Sequence, residues 1–237
     1  MKITIKRYCK HRTPLPSVDV TYDLPLEEPT LLEALTYIKT EIDSTLTFGS
    51  GCRSEVCGSC AVKVNGKEQL SCGYKVQDAD EIEALSYIEI IKDLVVDADQ
   101  SFMALIKTRA FLDNKSNKTQ SKENEKFIEK QSDCILCNSC FSSCPVLEVN
   151  KNFLGPFALT RVYRYVSDER NNDAKEKIDL IQKDGIWDCT LCGECTTACP
   201  QGIDPKMDIM QLRSKSGVYG YMDPNFASGG FDGGLSF

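Results

Sequence analysis

Histidine is almost missing from this sequence: His11 stands alone among 237 residues, in a basic stretch flanked by proline. A single imidazole excludes multi-histidine zinc enzymes, two-histidine Rieske centres and most histidine-based acid–base catalysis. A basic surplus is missing too. Lys plus Arg number 28 against 35 Asp plus Glu, a net charge of -7, so no nucleic acid is expected as a partner. No stretch approaches the ~18 consecutive apolar residues that span a bilayer. The opening MKITIKRYCKHR has no apolar signal-peptide core. Neither a Ser/His/Asp, Cys/His or paired-carboxylate constellation nor a phosphate-binding glycine loop is visible, so no residue is assigned a catalytic role. What the chain has in excess is cysteine, with thirteen residues, while its 41% hydrophobic and 27% charged content is ordinary for a globular protein.

Without an export signal, a reducing cytosolic setting is expected, and clustered cysteines there read as metal ligands rather than disulfides. The odd total also does not suit a complete disulfide framework. With Cys9 set aside, twelve cysteines fall into three groups of four. The first is Cys52-x4-Cys57-x2-Cys60-x11-Cys72. The other two share the spacing C-x2-C-x2-C-x3-C-P: Cys134, Cys137, Cys140 and Cys144 before Pro145, then Cys189, Cys192, Cys195 and Cys199 before Pro200. The two runs start 55 residues apart and form an internal repeat. Structural zinc uses two separated C-x2-C pairs, which this is not. The run is the bacterial ferredoxin signature, in which each fourth cysteine serves the other run's iron.

The stretch DNKSNKTQSKENEK, residues 113–126, has no apolar residue and reads as a solvated linker or exposed helix end. It divides a first domain, residues 1–112, from a second, residues 127–216, with a tail at 217–237. In the first domain, Ile3 and Ile5 alternate with polar neighbours, as do Val18, Val20 and Tyr22, predicting two strands. Thr30 with Glu33 makes a capping box for a helix whose apolar face is Leu31, Leu35, Ile38 and Ile42. Residues 61–69 predict a hairpin turning at Asn65-Gly66. Residues 82–96 hold a last strand or a short helix. The glycines around Phe48-Gly49-Ser50-Gly51-Cys52 and at Gly58 make a loop that leaves amide N–H groups free to point at sulfurs. Arg53 either adds positive charge there or forms a surface ion pair.

The second domain predicts mostly helix. GPFALTRVYRYV places Pro156 at a helix start, with a wet cationic side opposite an apolar one. Residues 173–183 predict an amphipathic helix with Ile178 and Ile181 inward, and Trp187 reads as a packing shield for a cluster.

An N-terminal plant-type cluster domain followed by a helical two-cluster domain resembles the iron–sulfur subunit of succinate dehydrogenases and fumarate reductases. The resemblance covers about residues 1–215 and rests on CRSEVCGSCAVKVNG with Cys72 beyond, on CxxCxxCxxxCP twice, and on GPFALTRVYRYVSDER between them. Small iron–sulfur subunits of molybdenum hydroxylases share only the first pattern, and the repeat runs set them aside. The implied fold is α+β: an N-terminal β-grasp plant-type ferredoxin domain plus a C-terminal, mostly helical, bacterial-type two-cluster ferredoxin domain. The implied function is electron transfer between the FAD of a partner flavoprotein subunit and a quinone-linked or other acceptor. A different flavoprotein or a heterodisulfide-type reductase served by the same wire is the alternative. The expected place is the cytoplasmic side of the cell membrane, held there through partner subunits.

Carried over by spacing, a 2Fe–2S cluster takes Cys52, Cys57, Cys60 and Cys72, and a middle 4Fe–4S cluster takes Cys134, Cys137, Cys140 and Cys199. The distal cluster takes Cys144, Cys189 and Cys195. Relatives with a distal 3Fe–4S cluster carry an apolar residue where this chain has Cys192, so a second 4Fe–4S cluster of lower potential is expected, with 3Fe–4S the outcome if Cys192 is not a ligand. Quinone-reducing relatives commonly have a Trp pair and a His where this chain has Glu148, Val149 and Thr190. That departure resembles the branch in which a peripheral subunit with CCG motifs replaces the membrane anchors. Cys9 is expected to be a structural thiol. The tail from Gly217, with six glycines and five aromatics in 21 residues, reads as either disordered or docked on a partner.

Overall fold

β1 (Lys2–Tyr8) buries Ile3 and Ile5 completely and turns the residues between them outward, the alternation of a half-buried strand. The computed structural model describes residues 1–11, 13 and 15–224. β1 pairs antiparallel with β2 (Ser17–Asp23) and parallel with β5 (Asp80–Glu83). β3 (Ala61–Val64) and β4 (Lys67–Leu70) form the hairpin, with Asn65 at φ 50 and Gly66 at φ 77, as a type I′ turn requires. The sheet order is β2-β1-β5-β3-β4. A parallel β1–β5 pair needs a crossover, and α1 (Leu31–Tyr37) lies in it. Thr30 caps that helix: its hydroxyl accepts from the Glu33 amide at 3.2 Å, while the Thr30 amide donates to Glu33 Oε2 at 2.7 Å.

Leu31, Leu35 and Ile38 meet Ile3, Ile5, Val62, Val64 and Ile82 in one core, completing the β-grasp. Ile42 does not join them. The helix widens into a π-turn over Ile38–Ile42, which rotates Ile42 out to 49% exposure. Residues 82–96 resolve as strand: after β5 come β6 (Ile90–Lys92) and β7 (Val95–Val96) in a two-stranded ribbon.

The remaining long helices, α2 (Asp99–Lys107), α3 (Lys122–Ser132), α6 (Pro156–Val166), α7 (Ala174–Leu180) and α9 (Pro205–Val218), pack around α6. Among the described residues three short turns of helix, α4 (Ser139–Ser142), α5 (Val146–Val149) and α8 (Glu194–Thr197), lie in or next to the cysteine runs, and a fourth is the π-turn at Ile38–Ile42. Ile178 and Ile181 are fully buried, as the amphipathic pattern predicts. The cationic side of α6 is not wet. Arg161 and Arg164 are half-buried, stacked near the Tyr165 ring at 5.4 and 4.8 Å, and Arg164 reaches Asp168 at 3.0 Å. A central helix has no free face, whatever its local pattern.

The polar stretch 113–126 is mostly exposed, as its composition predicts, and runs into the exposed start of α3, but it is also tied down at several points. Asp113 accepts from Lys177 Nζ at 2.7 Å, Lys115 bridges to Asn171, the Ser116 amide donates to the Arg170 carbonyl at 2.7 Å, and Ser121 caps α3. One of its charges, Asp113, and the backbone at Lys115 and Ser116 meet partners about 55 to 65 residues away, which local composition does not reveal. Leu85, Ile88, Leu105 and Ala110 also sit in the same core as Phe141, Val162 and Ile209. Among the described residues no helix is long and apolar enough to cross a membrane. Of the tail, residues 225–237, with Phe226, Phe231 and Phe237, lie outside the described residues.

Candidate metal centres

The first four cysteines sit where the loop after α1 folds over the end of β3. Cys52 and Cys57 are exposed, Cys72 is half-buried and Cys60 is buried. The loop aims its amides at sulfur. Cys52 N–H donates to Cys57 Sγ and Glu55 N–H to Cys72 Sγ, both at 3.3 Å, and the Ser54 and Val56 amides donate to Cys52 Sγ at 3.4 Å. Arg53 and Glu55, both at φ 62, supply the left-handed turns that invert successive N–H groups. The Ser54 amide, then that of Val56, holds the Cys52 thiol down at about 6. Burial pushes Cys60 up to about 11. Arg53 is exposed and lines one groove with Cys72, so its charge lies beside this loop. A side chain at Gly51 would place Cβ 2.8 Å from Cys57 Sγ, so the glycine keeps the cradle open.

The repeat of sequence is also a repeat of backbone. In the first run Leu136 (φ 53) and Asn138 (φ 65) are left-handed, and α4 (Ser139–Ser142) follows. In the second, Leu191 (φ 57) and Gly193 (φ 93) match them, and α8 (Glu194–Thr197) follows. These turns point amides at the cysteines: Leu191 N–H donates to Cys189 Sγ at 3.4 Å, and the Leu136 amide acts on Cys134. The Asn138/Gly193 match was legible in the aligned runs, since both residue types tolerate the left-handed region. Leu136 and Leu191 gave no such signal.

Cys134, Cys137, Cys140 and Cys199 surround one apolar-walled cavity, closed partly by Phe157 and Thr160. Cys140 is half-buried, and its thiol is raised well above the ordinary range, first by burial and then by Cys137, Cys134, Cys195 and Cys199. The other four thiols act on one another. Burial pushes Cys195 up to about 12, with Cys189, Cys144 and Cys192 adding to it. Burial likewise pushes Cys144 up to about 11, with Cys189 and Cys192 again contributing. α5 (Val146–Val149) leaves this region with Val149 88% exposed, beside exposed Glu148. Trp187 packs against the core next to Cys189, its Nε1–H donating to Gln182 Oε1 at 2.9 Å and the Arg213 guanidinium 5.4 Å from its ring. Cys9 is half-buried in a bridge to Lys92, apart from all three groups.

The groups adjoin. A Cβ at Gly58, whose φ is +73, would lie 2.7 Å from Cys137 Cβ, and Gln201 Nε2 donates to the Glu55 carbonyl at 3.0 Å. Among the described residues no three His, Cys, Asp or Glu side chains converge to hold a single metal ion. Thiols spread around a cavity, with amide donors on their sulfurs and an all-sulfur donor set, fit inorganic iron–sulfur groups, whose irons sit at separate corners.

Residues 2–103 match the family model of a 2Fe-2S iron-sulfur cluster binding domain, and residues 130–203 that of a 4Fe-4S dicluster domain. The chain is 34% identical over 224 residues to the fumarate reductase iron-sulfur subunit of Mycobacterium tuberculosis, covering 88% of this chain and 90% of that one. It is 36% identical over 204 residues to the 8-methylmenaquinol:fumarate reductase iron-sulfur subunit of Wolinella succinogenes, covering 79% and 64%. Its fold matches a chain of the Mycobacterium smegmatis Sdh1 complex in the apo form with a TM-score of 0.80 at 18% identity, over 94% of this chain and 98% of that one. The chain therefore belongs to the iron–sulfur subunits of the succinate dehydrogenase and fumarate reductase family, electron-transfer proteins that join a 2Fe–2S domain to a 4Fe–4S domain.

Proposed function

We propose that this chain conducts electrons one at a time between the FAD of a flavoprotein subunit, where succinate and fumarate interconvert, and a quinone-linked acceptor subunit. Residues 1–112 would carry the entry centre and residues 127–216 the other two. Cys52, Cys57, Cys60 and Cys72 would hold the 2Fe–2S cluster. Cys134, Cys137, Cys140 and Cys199 would hold the middle 4Fe–4S cluster, and Cys144, Cys189, Cys192 and Cys195 the distal one. When bound, these groups supply reversible one-electron transfer. The protein's own part is to orient them, to donate amides to their sulfurs and to bury one side of each C-terminal set, at Cys144 and Cys195 most of all, while Cys192 stays exposed.

The observation that carries this reading is the sorting of the eight C-terminal thiols into two facing sets, with Cys192 acting on both Cys144 and Cys195. A distal cluster with four thiolates is expected to be EPR-silent when oxidised. A strong 3Fe–4S signal from the air-free, oxidised protein would overturn the assignment of Cys192.

For the third subunit we favour a peripheral one with CCG motifs over transmembrane anchors. Glu148, Val149 and Thr190 are exposed near the distal set and offer neither indole nor imidazole to a quinone. The name of the Wolinella succinogenes relative includes a menaquinol, which supports a quinone-linked acceptor. Affinity purification from the native cell tests both partners at once: a flavoprotein with succinate dehydrogenase activity and a cysteine-rich soluble subunit should co-elute. A pair of small membrane subunits in its place would sink the second part.

A further inference from the structure

α9 enters the second domain beside the cavity ringed by Cys134, Cys137, Cys140 and Cys199, and its first turn carries Asp208, a carboxyl only 3% exposed. No cation meets it. Gln131 of α3 donates to Asp208 Oδ1 at 2.8 Å, and the Thr160 hydroxyl of α6 faces the same carboxyl. Thr160 is also part of the cavity wall, so one side chain separates Asp208 from the middle centre. Three buried oxygens here lack a hydrogen-bond partner: Asp208 Oδ2, Thr160 Oγ1 and Gln131 Oε1. The Thr160 hydroxyl can donate to the ionised carboxylate or, once the carboxyl is protonated, accept from it, so either protonation state of Asp208 can be satisfied at this spot.

The charged surroundings do not compensate. Asp204, on the same helix, is a like charge, and Tyr163 of α6 is a neutral phenol. Arg164 is committed to Asp168 and Ser132, Lys130 to Asp133, and Arg161 to the Tyr165 hydroxyl. From α7 and α8 no charged side chain acts on it among the described residues. Burial therefore dominates and pushes the carboxyl up to about 6.

We propose that Asp208 is a redox-linked proton site for the middle cluster, binding a proton when an electron resides there and releasing it when the electron moves on. This rests on the ligand set given above. The electron comes through the chain's own transfer activity and the proton from solvent. One O–H bond forms at Asp208 as the electron arrives, and the same bond breaks as it leaves. The added negative charge favours the protonated acid through Coulomb repulsion across a dry gap. The sign follows: the midpoint potential of the middle cluster falls as pH rises, between the carboxyl's pKa with the cluster oxidised and its higher pKa with it reduced.

The test is an EPR-monitored redox titration of the intact complex between about pH 5 and pH 9. Within the window the reduction equilibrium should weaken up to tenfold per pH unit, about 59 mV for one electron. Asp208→Asn should flatten this dependence and leave the other two clusters unmoved. Gln131→Leu, which removes the donor to the ionised form, should shift the window to higher pH, an effect a purely structural role would not give. If Asp208→Asn does not fold, the wild-type slope and the Gln131 variant still decide. A normal middle-cluster spectrum with a flat potential, or a slope that survives Asp208→Asn, overturns the proposal while leaving the ligand set intact. Absence of a second four-iron signal would instead overturn the ligand set.

Discussion

The two halves of this protein meet their cysteines differently. The sheet-and-helix core built on Ile3, Ile5, Leu35, Ile38, Val62 and Ile82 holds no cysteine among the described residues; Cys52 and Cys57 stand exposed on the loop beyond it, while Cys60 is buried in, and Cys72 packed against, the second core that the two halves share. The helical core contains Cys144, and Cys137, Cys140 and Cys189 pack against it. On the loop, backbone amides favour the thiolate that iron needs, as at Cys52. In the helical half burial opposes it, as at Cys195 and Cys140. The difference teaches that the first centre is anchored in the shared core on one side, through Cys60 and Cys72, and open to water on the other, whereas the other two are held mainly by the helical half. Metal binding and folding should be coupled more strongly in the second half.

Removing iron is the most direct way to break this comparison. Anaerobic chelation should cost the helical half most of its slow-exchanging amides, because the cavity ringed by Cys134, Cys137, Cys140 and Cys199 is left without its filling. The sheet should keep its protection. Hydrogen exchange read segment by segment would check this, and equal loss in both halves would erase the distinction.

A smaller effect is expected from Lys177→Met. Lys177 has no solvent exposure and pairs with Asp113 at 2.7 Å and Asp173 at 3.3 Å. Removing the cation leaves the buried Asp173 carboxylate and the partly exposed Asp113 to share Arg109, which should cost about 3 kcal/mol. Chemical denaturation should show the loss in the helical half alone.

Gly58→Ala attacks the seam between the halves. The left-handed φ and the 2.7 Å approach to Cys137 Cβ together should cost about 2 kcal/mol. The informative measurement is the intercluster electron-transfer rate, which should fall while both clusters keep their spectra. An unchanged rate would mean that the seam does not set the path.

Much of the molecule could be read in advance. The capping box at Thr30, the Asn65-Gly66 turn and the inward Ile178 and Ile181 are local patterns, each decided within a few residues. The exceptions share one cause. Ile42 left the core because the helix widened at its end, the α6 arginines are half-buried because neighbouring elements pack beside them, and residues 113–116 found an ion pair in α7 and backbone partners in the turn before it. Each depends on groups distant in the chain, which composition and periodicity do not sense.

Sequence alone determined the chemistry: the number of thiols, their spacing in three groups of four, and the duplication that brings two of those groups into one domain. Ligand spacing is a covalent, one-dimensional property, and iron–sulfur sites demand it. Tertiary structure decided which thiols stand in water and which are sealed, how closely the loop at Gly58 approaches Cys137, and that Asp208 lies buried without a counter-ion behind the middle centre. Those are matters of dielectric and of packing in three dimensions, and they arise only when residues far apart in the chain are brought together.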